Sequence, residues 1–125
     1  MPDAAIKKFA LWLQERCEFL ANLEQEAERI LQKDKNTEQY RALMRQKAMF
    51  LQALPEEAEI YMDVLPDNIA NKAGARLDRF AASASRALEI DSVFFMYALL
   101  YPEDHQKGLP NDLEAFTAEI AALAE

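Results

Sequence analysis

Residues 3–32, DAAIKKFALWLQERCEFLANLEQEAERILQ, decide the fold class. The stretch contains no glycine or proline, and Ile6, Phe9, Leu13, Leu20, Leu23, Ala27 and Ile30 recur at spacings of three and four, missing only at Arg16. Side chains so spaced share one helix face, so the segment reads as a long amphipathic helix. Ala10, Trp12, Cys17 and Phe19 widen the apolar stripe in its first two-thirds, which must therefore be covered on two sides. A helix of this length spans about 45 Å, too long for the body of a small domain unless a second element runs alongside.

The next residues supply that element. Lys33-Asp34-Lys35-Asn36 is a polar break, and Asn36 or Thr37 offers a side-chain oxygen to the free N–H groups at the start of a following helix. From Glu38 to Leu65 the inward positions are Tyr40, Leu43, Met44, Ala48, Phe50, Leu51, Leu54, Ala58, Tyr61, Met62 and Leu65. Pro55, which lacks an N–H, predicts a bend near Leu51–Leu54 in this second arm of a helical hairpin. A third helix over Asp67–Glu89 carries an alanine-rich seam, expected to lie deepest, and Gly74 within it predicts a close backbone approach. Ser92 caps the apolar run Val93–Tyr101, which reads as a buried helix because a lone strand would leave its backbone groups unpaired. After a loop over 102–109, a last helix over 110–124 buries Leu113, Phe116, Ile120 and Leu123.

These elements make an all-α bundle of four to five antiparallel helices in one domain over 1–125. Two glycines and five prolines in 125 residues are too few for the tight turns of an all-β sandwich or barrel. The longest apolar run has nine residues, under half of the ~20 that span a membrane, and no leader pattern precedes it. With a single cysteine, Cys17, a cytoplasmic protein is expected.

Charge bears on partners. Residues 1–50 hold nine Lys/Arg and eight Asp/Glu, a net +1, whereas residues 51–125 hold five and fourteen, a net −9. An overall charge of −8 repels phosphate backbones and anionic lipid. One basic stripe runs against this field, Lys72, Arg76, Arg79 and Arg86 on the third helix, and it supports the alternative of a nucleic-acid-associated regulator. Neighbouring acidic helices would neutralise such a stripe, or its stems would cover apolar surface.

Catalytic sets are lacking. One histidine, His105, lies in a loop beside Glu103 and Asp104, without the helical Glu-x-x-His pairs of di-iron bundles. Glu56, Glu57, Glu59, Asp63 and Asp67 could attract a cation, but Arg76-Leu77-Asp78-Arg79 on the next helix places cations where a second carboxylate pair would have to stand. Ser83, Ser85, Ser92 and Cys17 have no neighbouring base, and phosphate-cradling glycine loops are missing. No cofactor is expected, and the chain reads as a non-enzymatic protein-interaction module of adaptor, chaperone or inhibitor-like type. Trp12, Phe19, Phe94, Tyr97 and Tyr101 are the candidate contact residues, because aromatics in excess of a small core collect at interfaces. A homodimer through the N-terminal helix is expected, with Trp12 covered by a second copy or else by the 93–101 segment.

Overall fold

The chain forms helix α1 (Pro2–Arg29), a π-helical turn (Ile30–Asp34), α2 (Thr37–Glu57), the short α3 (Glu59–Met62), α4 (Asp67–Glu89), α5 (Val93–Ala98) and α6 (Asp112–Leu123). The computed structural model describes residues 2–124. Helix accounts for 80% of the chain and no strand occurs among the described residues, so the all-α bundle is what the periodicity implied.

Each start has a chemical reason. Asn36 accepts a hydrogen bond from the Gln39 N–H at 3.0 Å and caps α2, while Ser92 accepts from the Phe95 N–H at 3.2 Å and caps α5. Asn111 and Glu114 exchange side-chain-to-backbone bonds of 2.8 and 2.9 Å, a reciprocal cap that starts α6 at Asp112 rather than at Pro110. The wide turn after α1 closes on Lys35, which takes a left-handed φ of 54° and donates its N–H to the Ile30 carbonyl.

α1 and α2 form the antiparallel hairpin. Trp12 meets Tyr61, Phe19 meets Phe50 and Glu24 meets Lys47, so contacts descend on one arm as they climb the other. α4 runs back along α2, joined by Gln52 to Ser85 and by Arg45 to Asp91, each at 2.8 Å. α6 packs along α1 and closes the bundle onto α4 through Phe80 against Phe116 and Arg76 to Glu119 at 3.1 Å. Phe9, Leu13, Leu20, Met44, Ala48, Leu51, Leu54, Leu77, Met96 and Leu113 are the shared core. At roughly 25 cal/mol per Å² of apolar surface removed from water, this burial is the main driving force for folding.

Leu123, expected inside, lies exposed at the end of α6, and four further expectations are corrected. Proline does not interrupt 51–54. α2 continues through Pro55 to Glu57 and breaks at Ala58, one turn further on, because the missing N–H removes one rung while Ala58 still donates to the Leu54 carbonyl at 2.9 Å. The deepest helix is α2, which packs against α1, α3, α4 and α5, and not α4. Apart from its chain neighbours and the backbone of its own helix, nothing lies within 4 Å of where a Cβ on Gly74 would sit, so that glycine marks no close approach by another element. The run Val93–Tyr101 is not helical throughout. Its helix stops at Ala98, and Leu99 and Leu100 form a tight turn closed by the Tyr101 N–H on the Ala98 carbonyl at 2.9 Å, with Leu100 at a left-handed φ of 75°. The turn is of type II shape, which favours glycine at that position, and burial of the Leu100 side chain offsets the strain.

Candidate functional site

α5 and the turn after it depend on one side chain. Met44, Lys47, Ala48, Leu51 and Leu54 line the inner face of α2 at helical spacing, which carries Lys47 into the core with 0% of its surface exposed. A buried ammonium is costly unless its three protons find acceptors. Lys47 Nζ donates to Glu24 Oε2 at 3.0 Å and to the Tyr97 carbonyl at 2.9 Å, and it lies 4.9 Å from the centre of the Tyr101 ring. The Tyr97 carbonyl belongs to the last turn of α5, where a cation offsets the negative end of the helix dipole.

Tyr101 completes the cluster. Its hydroxyl donates to both Glu24 oxygens, at 2.8 and 2.9 Å. Burial pushes the Tyr101 phenol well above its usual value, and the Glu24 carboxylate that accepts its proton reinforces the effect. Burial pushes the Lys47 ammonium down, with Glu24 acting in the opposite direction. Three helices are thereby tied at one point, α1 through Glu24, α2 through Lys47 and α5 through the Tyr97 carbonyl, with the turn after α5 held by Tyr101.

On the far side of this anchor the chain presents aromatics to solvent. Phe94 is 70% exposed, with Phe95 at 51% and Tyr97 at 58% on either side of it, opposite the buried Met96. Phe94 and Phe95 contact edge to face at 5.7 Å. Beside them lies an open cleft of about 400 Å³ between the end of α4 and the 98–102 segment, whose walls include Arg86, Ile90, Phe95 and Leu99.

The aromatic residues singled out in the sequence thus divide. Trp12 is half-buried, at 5.3 Å from the Tyr61 ring and 6.1 Å from Phe9, so the cover expected of the 93–101 segment comes instead from α3 of the same chain. Phe19 stacks on Phe50 at 4.7 Å with one face still exposed. Arg16, the gap in the apolar spacing of α1, lays its guanidinium against the Trp12 and Phe50 rings at 5.9 and 5.6 Å. Tyr101 turns inward to Glu24. Phe94 and Tyr97 remain outside, joined by Phe95 and Ile90, which the sequence alone did not separate from the core.

The basic stripe is incomplete in three dimensions. Arg76 is bonded to Glu119 and packs against the Phe80 and Phe116 rings at 6.0 and 5.1 Å, leaving Lys72, Arg79 and Arg86 exposed. Cys17 is half-buried, 3.4 Å from the Thr117 hydroxyl, and burial raises its thiol pKa, which opposes reactivity. His105 bonds the Leu109 carbonyl at 3.0 Å across its own loop. Among the described residues no group of three or more His, Cys, Asp or Glu side chains is placed to hold a metal ion, and no helix is long and apolar enough to cross a membrane. No protein-family model, curated protein or solved structure matches the chain.

Proposed function

We propose that the protein is a non-enzymatic interaction module of the cytoplasm, of adaptor, chaperone or inhibitor-like type, which presents the outer face of α5 to another polypeptide. The observation that carries this reading is the exposure of Phe94, Phe95 and Tyr97 together on one short helix whose far side is fixed to the core through Lys47. Exposed aromatics on a rigid element are the residues that serve as interface anchors, because they lose little conformational freedom on binding. Residues 51–125 carry a −9 balance, which disfavours anionic partners, while residues 92–102 carry no charged side chain.

The test is photocrosslinking from position 97. A photoreactive phenylalanine analogue replacing Tyr97, expressed in the native host, is expected to crosslink to a defined polypeptide, while the same analogue at exposed Gln46 on α2 is not. Absence of any polypeptide adduct from position 97 overturns the reading.

A further inference from the structure

We infer that the occupant of the α5 face is a second copy of this chain, paired about a two-fold axis with Phe94 of each copy seated in the cleft of the other. The inference rests on the proposed interaction role of α5 and names its partner.

Three observations carry it. The first is shape. A two-fold interface uses one patch on both copies, so the patch must hold both a projection and a matching recess. Phe94 is the projection, 70% exposed at the centre of the face, and the cleft of about 400 Å³ opens beside it, with Phe95 in edge contact with Phe94 and lining the cleft wall. The recess has room for a phenyl ring.

The second is charge. Each copy carries −8, and a second copy approaching most of the surface of residues 51–125 meets like charge. Residues 92–102 contain no charged side chain, so α5 itself opposes no carboxylates, and the cleft wall holds one acid, Asp112, with one base, Arg86. Arg86 lines the cleft and has no carboxylate within 4.0 Å among the described residues, so its guanidinium is free to lie against an incoming aromatic ring.

The third is area. Aromatic side chains offer about 150–250 Å² each, so the exposed fractions of Phe94, Phe95 and Tyr97 together with Ile90 present on the order of 400 Å² of apolar surface. That is about half of the roughly 800 Å² per partner of a standard interface, which places the pair among the weak interfaces that form only as concentration rises.

Sedimentation velocity decides the matter. The unmodified protein is expected to reach a mass of two chains as its concentration rises to about 0.1 mM, a range in which even a modest interface shows itself by mass action. Phe94→Asp is expected to weaken the dimer at least tenfold and Arg86→Gln severalfold, both with unchanged far-ultraviolet circular dichroism and with an unchanged thermal midpoint at concentrations where the parent is monomeric, since both side chains are exposed. Phe19→Asp, on the exposed side of α1, is expected to leave the dimer intact. A single-chain mass throughout overturns the inference, as does a dimer that survives Phe94→Asp. A monomer that still crosslinks to another polypeptide from position 97 overturns self-pairing alone, whereas a monomer without any adduct overturns the interaction reading with it.

Discussion

The two halves of α1 are held in place by different physics. In the first half, Phe9 packs among Trp12, Tyr61 and Phe116 with ring centres 6.0–6.5 Å apart, a contact set made of area and shape. In the second half, Glu24 holds Lys47 and Tyr101 through bonds of 2.8–3.0 Å, a contact set made of charge and direction. Aromatic packing tolerates neighbours of similar volume, because dispersion and apolar burial have no directional requirement. A buried ion pair tolerates almost nothing at the partner that leaves a charge behind. The first half therefore contributes stability, and the second fixes where the α5 face stands relative to the bundle.

Conservative replacements break this comparison most sharply. Phe9→Ala is expected to cost about 3–5 kcal/mol, with Phe9→Leu recovering more than half, because the site can be refilled by another apolar side chain. Glu24→Ala is expected to cost about the same 3–5 kcal/mol, since it leaves the Lys47 ammonium buried with only the Tyr97 carbonyl and a ring for company. Here Glu24→Gln should recover less than half, as an amide restores a hydrogen-bond acceptor but no countercharge. Urea unfolding of the four variants measures the differences. Equal recovery at both positions would show that the second half is held by shape as well.

The same contrast explains what the sequence made legible. Apolar spacing reveals which faces are buried, so α1, α2, α4 and α6 and most of the core could be read directly, including Phe9, Leu13, Leu51 and Leu77. Lys47 also lies on the inner stripe, three residues after Met44 and one before Ala48, but a lysine is rarely buried without a partner, and that partner is 23 residues earlier on another helix. Trp12 showed that it needed cover without showing that Tyr61 would provide it, because pairing across a hairpin depends on register that neither arm encodes alone. The run 93–101 failed differently. Nine apolar residues give no periodic contrast, so neither the turn at Leu99–Leu100 nor the outward placement of Phe94 and Phe95 left a signal.

A smaller effect is expected from Tyr101→Phe, about 1.5–3 kcal/mol, the usual worth of a hydrogen bond to a charged group. Its dependence on pH identifies it. The folded-state pKa of Tyr101 is raised above the unfolded value of 10.0, so its contribution is fully present below pH 10 and is lost as the pH rises beyond that, when the unfolded chain releases the phenolic proton and the folded chain retains it. Lys47 has the opposite sign. Its folded-state pKa is lowered, and its contribution improves as the pH rises toward 10.5. Comparing the parent with Tyr101→Phe at each pH cancels the Lys47 component, and the gap between them should narrow above pH 10. A gap that stays constant into that range would show that the folded chain does not hold the phenol protonated.

The smallest loss within the cluster is expected from Lys47→Met, although lysine is its most deeply buried member. Methionine has a similar unbranched volume and fills the same space between Met44, Leu51 and the Tyr101 ring without any charge to desolvate. The carboxylate it leaves behind is not stranded, because the Glu24 side chain is 23% exposed to water and keeps the Tyr101 hydroxyl. What is lost is the bond to the Tyr97 carbonyl at the end of α5, worth about 1 kcal/mol, and with it the direction that this bond imposes. Lys47→Met should accordingly unfold no more than about 2 kcal/mol more easily than the parent, well short of Glu24→Ala, which removes the other half of the same ion pair. Its signature should be local instead of global: amide hydrogen exchange across Val93–Tyr101 should quicken more than exchange in the core of α2 or α4, because α5 has lost its tie while the bundle has kept its packing. Uniformly faster exchange throughout the chain would mean that Lys47 supports the whole bundle and not the α5 face.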